Sequence, residues 1–257
     1  MKVICISNMK GGVGKTVTAV ALARGLHDQG RRVLLCDLDP QCNASFVSGL
    51  NVLETETTLF DVFKGEANTT DAIQPLEIGF DIAMCGLKAT AADMTFTQLG
   101  RERILAEALK PIQDDYDCVI CDTSPSLSLL TTAAATAADY LLIPTTADSL
   151  SIQGASQLDA YTRSIRKYCN PRLQVLGILV TMYNNRSVLS KSLEGAIQDL
   201  SASMETTVFD TRIRRAQALQ DAASTQQDLY TTAAKATAVQ DYKQLIMEVL
   251  NKIEEKG

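Results

Sequence analysis

The chain has 257 residues, 46% hydrophobic and 5% aromatic with no tryptophan, so Val, Ile, Leu and Ala must fill a core of substantial size. A formal charge of −6 excludes a surface coated uniformly for nucleic acid and permits only a local basic patch. Seven cysteines without paired spacing exclude a secreted disulfide framework and fit a reducing cytoplasm.

The first apolar run, Val3 to Ser7, is too short for a signal peptide and flows into a glycine-rich stretch, Lys10 to Thr16. From Thr16 to Gln29, Ala19, Leu22, Ala23 and Leu26 share one face before Gly30, which predicts a helix opening directly from that stretch. Arg32 to Asp37 reads as the next strand, and Asn51 to Gln74 as an excursion with a short helix at Thr57 to Phe63. Further strands are expected at Phe80 to Met84, Cys118 to Asp122, Tyr140 to Pro144 and Gln174 to Val180, with a helix at Arg101 to Leu109. Cys118 and Cys121 spell CxxC, but residues three apart on a strand point to opposite faces, which argues against a redox or zinc role. The tail, Ala238 to Lys256, spaces Val239, Tyr242, Leu245, Ile246, Val249, Leu250 and Ile253 as an amphipathic helix. Alternating β-branched runs and helices predict an α/β fold, a doubly wound, mostly parallel sheet with helices on both faces. No linker or repeat divides the chain and no apolar stretch reaches membrane-spanning length, so one domain in the cytoplasm is expected.

The strongest chemical signal is Lys10-Gly11-Gly12-Val13-Gly14-Lys15-Thr16 between the first strand and first helix. Glycines let successive N–H groups point at phosphate oxygens, and the helix adds the positive end of its dipole. Lys15 is the expected β- and γ-phosphate ligand and Thr16 a Mg²⁺ ligand. Such a site also needs carboxylates at strand ends, one for the metal and one to orient water. Asp37 and Asp39, in Asp37-Leu-Asp-Pro-Gln41, and Asp122, closing Cys118-Val-Ile-Cys-Asp122, are the candidates; aspartates in such places also make turns or caps. The one histidine, His27, leaves almost no room for a catalytic triad or a histidine metal site.

The general P-loop pattern has glycine where this chain has Met9, and a second lysine, Lys10, stands in the loop. In this combination the chain resembles the ParA/MinD family of deviant Walker A ATPases, nearer the ParA/Soj partitioning branch. The likeness spans nearly the whole chain, through Thr58 to Phe63, Asp114 to Asp117, Ala137 to Asp139, Ile143-Pro144 and Gln153-Gly154. It implies a P-loop fold, ATP and Mg²⁺ as cofactors, and an ATP-bound homodimer in which Lys10 crosses to the partner's nucleotide. Asp39 would position the attacking water, with Asp37 near the metal and Asp122 bonded to it through water. Val17 replaces a threonine frequent in the family, removing a possible α-phosphate contact. Asn184 would bond the adenine edge, although a loop asparagine also suits a turn.

The resemblance further implies non-specific DNA binding, nucleoid association and activation of hydrolysis by a ParB-like protein, in chromosome or plasmid segregation. Arg214, with Arg212 and Arg215 beside it, matches the family's arginine stretch, and Lys191 is a further candidate. Arginines suit backbone phosphates at any sequence, and equally suit a solvated turn or ion pairs with nearby acids. Two other classes share the loop: MinD-like membrane switches and iron–sulfur electron-transferring ATPases. The tail interleaves Glu248, Glu254 and Glu255 with its lysines, favouring packing over stable membrane association, and no cysteine has the glycine-flanked setting of a cluster ligand.

Overall fold

The computed structural model describes residues 1–184, 188–217, 221, 222, 225, 226 and 228–256, without side chains for 188–192 and 229. Seven strands form one sheet: β1 (Lys2–Ile6), β2 (Val33–Asp37), β3 (Gln74–Pro75), β4 (Asp81–Met84), β5 (Cys118–Asp122), β6 (Tyr140–Thr146) and β7 (Gln174–Thr181). Their order across the sheet is β3-β4-β2-β5-β1-β6-β7. All neighbours are parallel except β3, a two-residue antiparallel edge on β4. The six strands expected from the sequence are all present; β3 was not expected, because Gln74 and Pro75 make too short a segment to show alternation.

Helix α1 (Lys15–Asp28) follows β1 and stops where Gly30 takes φ 78°. Short helices α2 (Asn43–Val47), α3 (Leu59–Lys64), α4 (Ala92–Thr95) and α5 (Ile104–Leu109) fill the way to β5. Thr58 and Asp61 form a capping box at α3, the reason the excursion carries a helix there. Helices α6 (Leu129–Ala137), α7 (Ser149–Tyr168) and α8 (Val188–Ser203) follow β5, β6 and β7, and α9 (Thr237–Lys256) closes the chain. Among the described residues, no helix is long and apolar enough to cross a membrane.

Strand alternation splits the core into two halves. One face packs Cys5, Cys36, Cys121, Leu34 and Val119 against α5, α6 and α7, and the other packs Ile4, Ile6, Leu35 and Ile120 against α1 and α9. Cys118 and Cys121 fall on opposite faces as expected. In α9 the predicted stripe is buried at Val239, Tyr242, Leu245, Ile246 and Val249 and partly buried at Leu250 and Ile253, so this helix spends its apolar face on its own domain core. At Gly177 in β7 an added Cβ would stand 2.6 Å from the Phe209 ring, which is itself 1% exposed. Gly177→Ala is therefore expected to lower stability in urea denaturation by about 1–3 kcal/mol, the range for overpacking a filled core.

Candidate functional site

Parallel register brings the chemistry to one edge of the sheet. Asp37 and Asp122 are Cα partners at the carboxyl ends of β2 and β5, and Ile6 of β1 lies next in the same row. The glycine loop therefore leaves β1 beside both aspartates, at the crevice where strand order reverses and open α/β sheets bind ligands.

The loop is a built cradle. Gly14 takes φ 84°, a left-handed value closed to most side chains, and delivers the chain into the first turn of α1. Thr181, at the end of β7, holds the far wall by donating its hydroxyl to the Val13 carbonyl at 2.8 Å. Gly11 and Gly12 are exposed on the open side. Lys15 is 7% exposed and its ammonium bonds the Lys10 carbonyl at 3.0 Å, across the loop. Burial lowers its pKa against the attraction of Asp122 and Asp39. Val17 turns into the α1 side of the core, where it does packing work.

Asp122 is fully buried and its Oδ2 accepts the Thr16 hydroxyl at 2.8 Å. Its Oδ1 is buried with no protein partner. Burial and then the neighbouring Asp37 push its carboxyl well above the ordinary range. An orphaned carboxylate oxygen beside a threonine hydroxyl fits a hard cation, which takes oxygen ligands and relieves the desolvated charge. Among the described residues no three His, Cys, Asp or Glu side chains form a cage of their own. Mg²⁺ binds through one or two protein oxygens and completes its shell with waters and phosphate oxygens.

The two switch carboxylates differ sharply. Asp37 is fully buried; Oδ2 accepts both the Ser45 amide and hydroxyl at 2.8 Å, and Oδ1 accepts the Asp39 amide at 3.3 Å. Burial raises its carboxyl to about 6 against those hydrogen bonds. Its oxygens tether α2 to β2, an anchoring task that the Asp-rich motif alone did not reveal. Asp39 is half-buried on the turn, with Oδ1 accepting the Gln41 amide at 3.0 Å.

Lys10 faces elsewhere. Its ammonium pairs with Asp148 at 2.8 Å, the residue that caps α7 through the Ser151 amide at 2.9 Å. Against the upward push of partial burial, hydrogen bonds from Lys10, Thr146 and Ser151 hold Asp148 well below the usual carboxylate range. Asp148 escaped the sequence reading, although an aspartate three residues before a serine at the head of a long segment is a cap signal.

The remaining candidates cluster beyond β7. Asn184 is exposed next to Tyr183, which pairs with Arg214 as an isolated bridge. Arg212 bonds Glu194 at 2.7 Å and stacks over the Tyr183 ring at 4.8 Å. Arg214 grips the buried Asp241 with Nε and Nη2, at distances of 2.5–3.2 Å. Arg215 is exposed. Lys191 falls in α8, and its side chain lies outside the described residues.

A glycine loop strung between a central parallel strand and the helix that follows it, with a strand-end aspartate on the loop threonine, is P-loop NTPase architecture. A family model described as an AAA domain matches residues 1–175. The chain is 35% identical to the chromosome partitioning protein ParA of Caulobacter vibrioides over 256 residues, covering 98% of this chain and 95% of that one. It is 37% identical to the chromosome-partitioning ATPase Soj of Thermus thermophilus, covering 98% and 96%. Among solved structures, it superposes on a cobyrinic acid a,c-diamide synthase from Mycobacterium smegmatis, with bound ATP analog and magnesium, at TM-score 0.86 and 28% identity over 99% and 96% of the chains. The chain belongs to the ParA/MinD family of deviant Walker A ATPases, with ParA and Soj among its full-length relatives.

Proposed function

We propose that the protein is a partitioning ATPase of the ParA/Soj kind: MgATP closes a homodimer, the dimer holds DNA without sequence preference, and a ParB-like partner stimulates hydrolysis to ADP and phosphate. The observation that carries the nucleotide half is the orphaned Asp122 Oδ1 beside Thr16 at the mouth of the Lys10–Thr16 loop. Thr16 and Asp122 would hold the metal, whose chemistry is to neutralise charge on the phosphate oxygens. Lys15 and the loop amides bind the β- and γ-phosphates. Asp39 orients water for in-line attack. Lys10 swings from Asp148 to the nucleotide of a second protomer, stabilising the transferring phosphoryl group as an arginine finger does.

A further feature supports a dimer that closes on this edge. Leu127, Leu150 and Met182 are 58%, 65% and 44% exposed on the segments that leave β5, open α7 and leave β7. Exposed apolar residues gathered at one end favour burial against a second surface. The burial of the α9 stripe favours DNA over a membrane as the dimer's substrate surface. Six of the seven cysteines are buried, Cys5, Cys36 and Cys121 side by side on adjacent strands within the sheet core, which speaks for packing over a shared iron–sulfur cluster.

The discriminating experiment is retention on non-specific DNA with ATP, ADP and no nucleotide. Retention with ATP alone is expected; retention on anionic vesicles in its place would overturn the DNA reading. Within the basic stretch, Arg215 is the cleaner probe, since Arg214 and Arg212 are committed to Asp241 and Glu194. Arg215→Ala is expected to weaken DNA retention and make its salt slope shallower by about one, with ATP affinity and melting temperature unchanged. Arg214→Ala leaves Asp241 buried without its cation, so its loss of DNA binding is expected to come with a lower melting temperature.

A further inference from the structure

Two residues before Lys10, Asn8 is fully buried with both ends of its amide engaged. Its Nδ2 donates to the Pro144 carbonyl in β6 at 2.7 Å, and its Oδ1 accepts the Lys10 amide at 3.0 Å. The partners fix the amide orientation, because a carbonyl can only accept and an N–H can only donate. From the other side, α7 presses on the same spot. A Cβ added at Gly154 would stand 2.8 Å from Asn8 Oδ1 and 3.2 Å from the Lys10 nitrogen, so this helix passes the loop with only hydrogen between them. The main chain of Lys10 is thus clamped, while its side chain is 32% exposed and ends at Asp148.

We infer that Asn8, seated against Gly154, is a positioning residue for ATP hydrolysis: it fixes the pivot from which the Lys10 arm reaches the nucleotide. The inference rests on the reading of Lys10 as the group that acts across the dimer. Asn8 touches the phosphate cradle only at its first residue, Lys10, and the rest of the cradle has its own supports in the Thr181 bond to Val13 and the Thr16 bond to Asp122. Its loss therefore leaves nucleotide binding standing. A displaced pivot carries the ammonium off target, and misplacement of a reacting group by about 1 Å can cost on the order of a hundredfold in rate.

The test compares Asn8→Ala, Gly154→Ala, Lys10→Ala and the Asn8→Ala/Lys10→Ala double variant, all in the full chain. For each, ATP affinity is measured with a fluorescent ATP analogue, and turnover at saturating ATP at a protein concentration that supports dimers. Asn8→Ala and Gly154→Ala are both expected to lower turnover about 10- to 100-fold with ATP affinity within about twofold. Gly154→Ala reaches the same clamp from outside without deleting a buried hydrogen-bonding group, so it stands in should Asn8→Ala fold poorly. In the Lys10→Ala background, loss of Asn8 is expected to add nothing, as for two residues on one path. Wild-type turnover in both clamp variants beside an inactive Lys10→Ala overturns the inference alone. So does an added loss in the double variant, or a fall in ATP affinity that matches the fall in turnover. Wild-type turnover in Lys10→Ala overturns the underlying reading, and the inference with it.

Discussion

Lys15→Ala is expected to weaken MgATP binding about 10- to 150-fold while leaving the fold intact. The ammonium sits 7% exposed inside the glycine loop, where a charge-assisted bond to phosphate is worth about 1.5–3 kcal/mol and no other side chain can replace it. Lys10 does not stand in, because its ammonium lies at Asp148, the cap of α7, and its proposed reach is to the nucleotide of a second protomer. Among the described residues the Lys15 ammonium bonds the Lys10 carbonyl, and its burial disfavours the charged form. Removing it therefore takes away a desolvated cation, and the melting temperature should hold or rise. Titration with a fluorescent ATP analogue and a thermal melt separate these effects. Binding within threefold of wild type would remove Lys15 from the phosphate site, and a collapsed melt would assign it a structural task.

Much of this arrangement is legible in the sequence, for physical reasons that apply unevenly. The strands were legible because a parallel sheet covered on both faces demands unbroken apolar runs such as Cys118 to Asp122. The loop was legible because phosphate binding needs glycines at one spacing within a strand–loop–helix unit. Asp37 was found by its motif but not its task, since nothing local says that Ser45, eight residues on, will take one of its oxygens twice. Asn8, Asp148, Gly154 and Thr181 were unreadable as site residues for the same reason. Each acts through a partner that only the sheet order brings near: Asn8 reaches Pro144 because β6 lies beside β1, and Thr181 reaches Val13 from the strand beyond. The arginine stretch fits either a DNA contact, as the resemblance implies, or ion pairs with nearby acids. Among the described residues two of its three guanidinium groups pair with carboxylates, Arg212 with Glu194 and Arg214 with Asp241, and Arg215 is exposed.

Asp39→Ala is expected to separate binding from hydrolysis: ATP affinity and dimer formation persist, and turnover falls roughly 10²- to 10³-fold, as when a group that orients or activates water is lost. The contrast with Asp37 makes the expectation sharp. Asp37 anchors α2 through Ser45, so its removal would free that helix and blur any kinetic effect. Asp39 bonds the Gln41 amide from a half-buried position on the exposed side of the turn, and its loss leaves that anchor in place. It also contributes negative charge to the field at Lys15 and Asp122, so deleting it eases the approach of a polyphosphate. Affinity should accordingly hold or improve while hydrolysis stalls, trapping the closed dimer. Single-turnover hydrolysis read beside light scattering with ATP checks both halves. A variant that still turns over at the wild-type rate would move water orientation to another group, and one that neither binds ATP nor dimerises would make Asp39 part of the cradle.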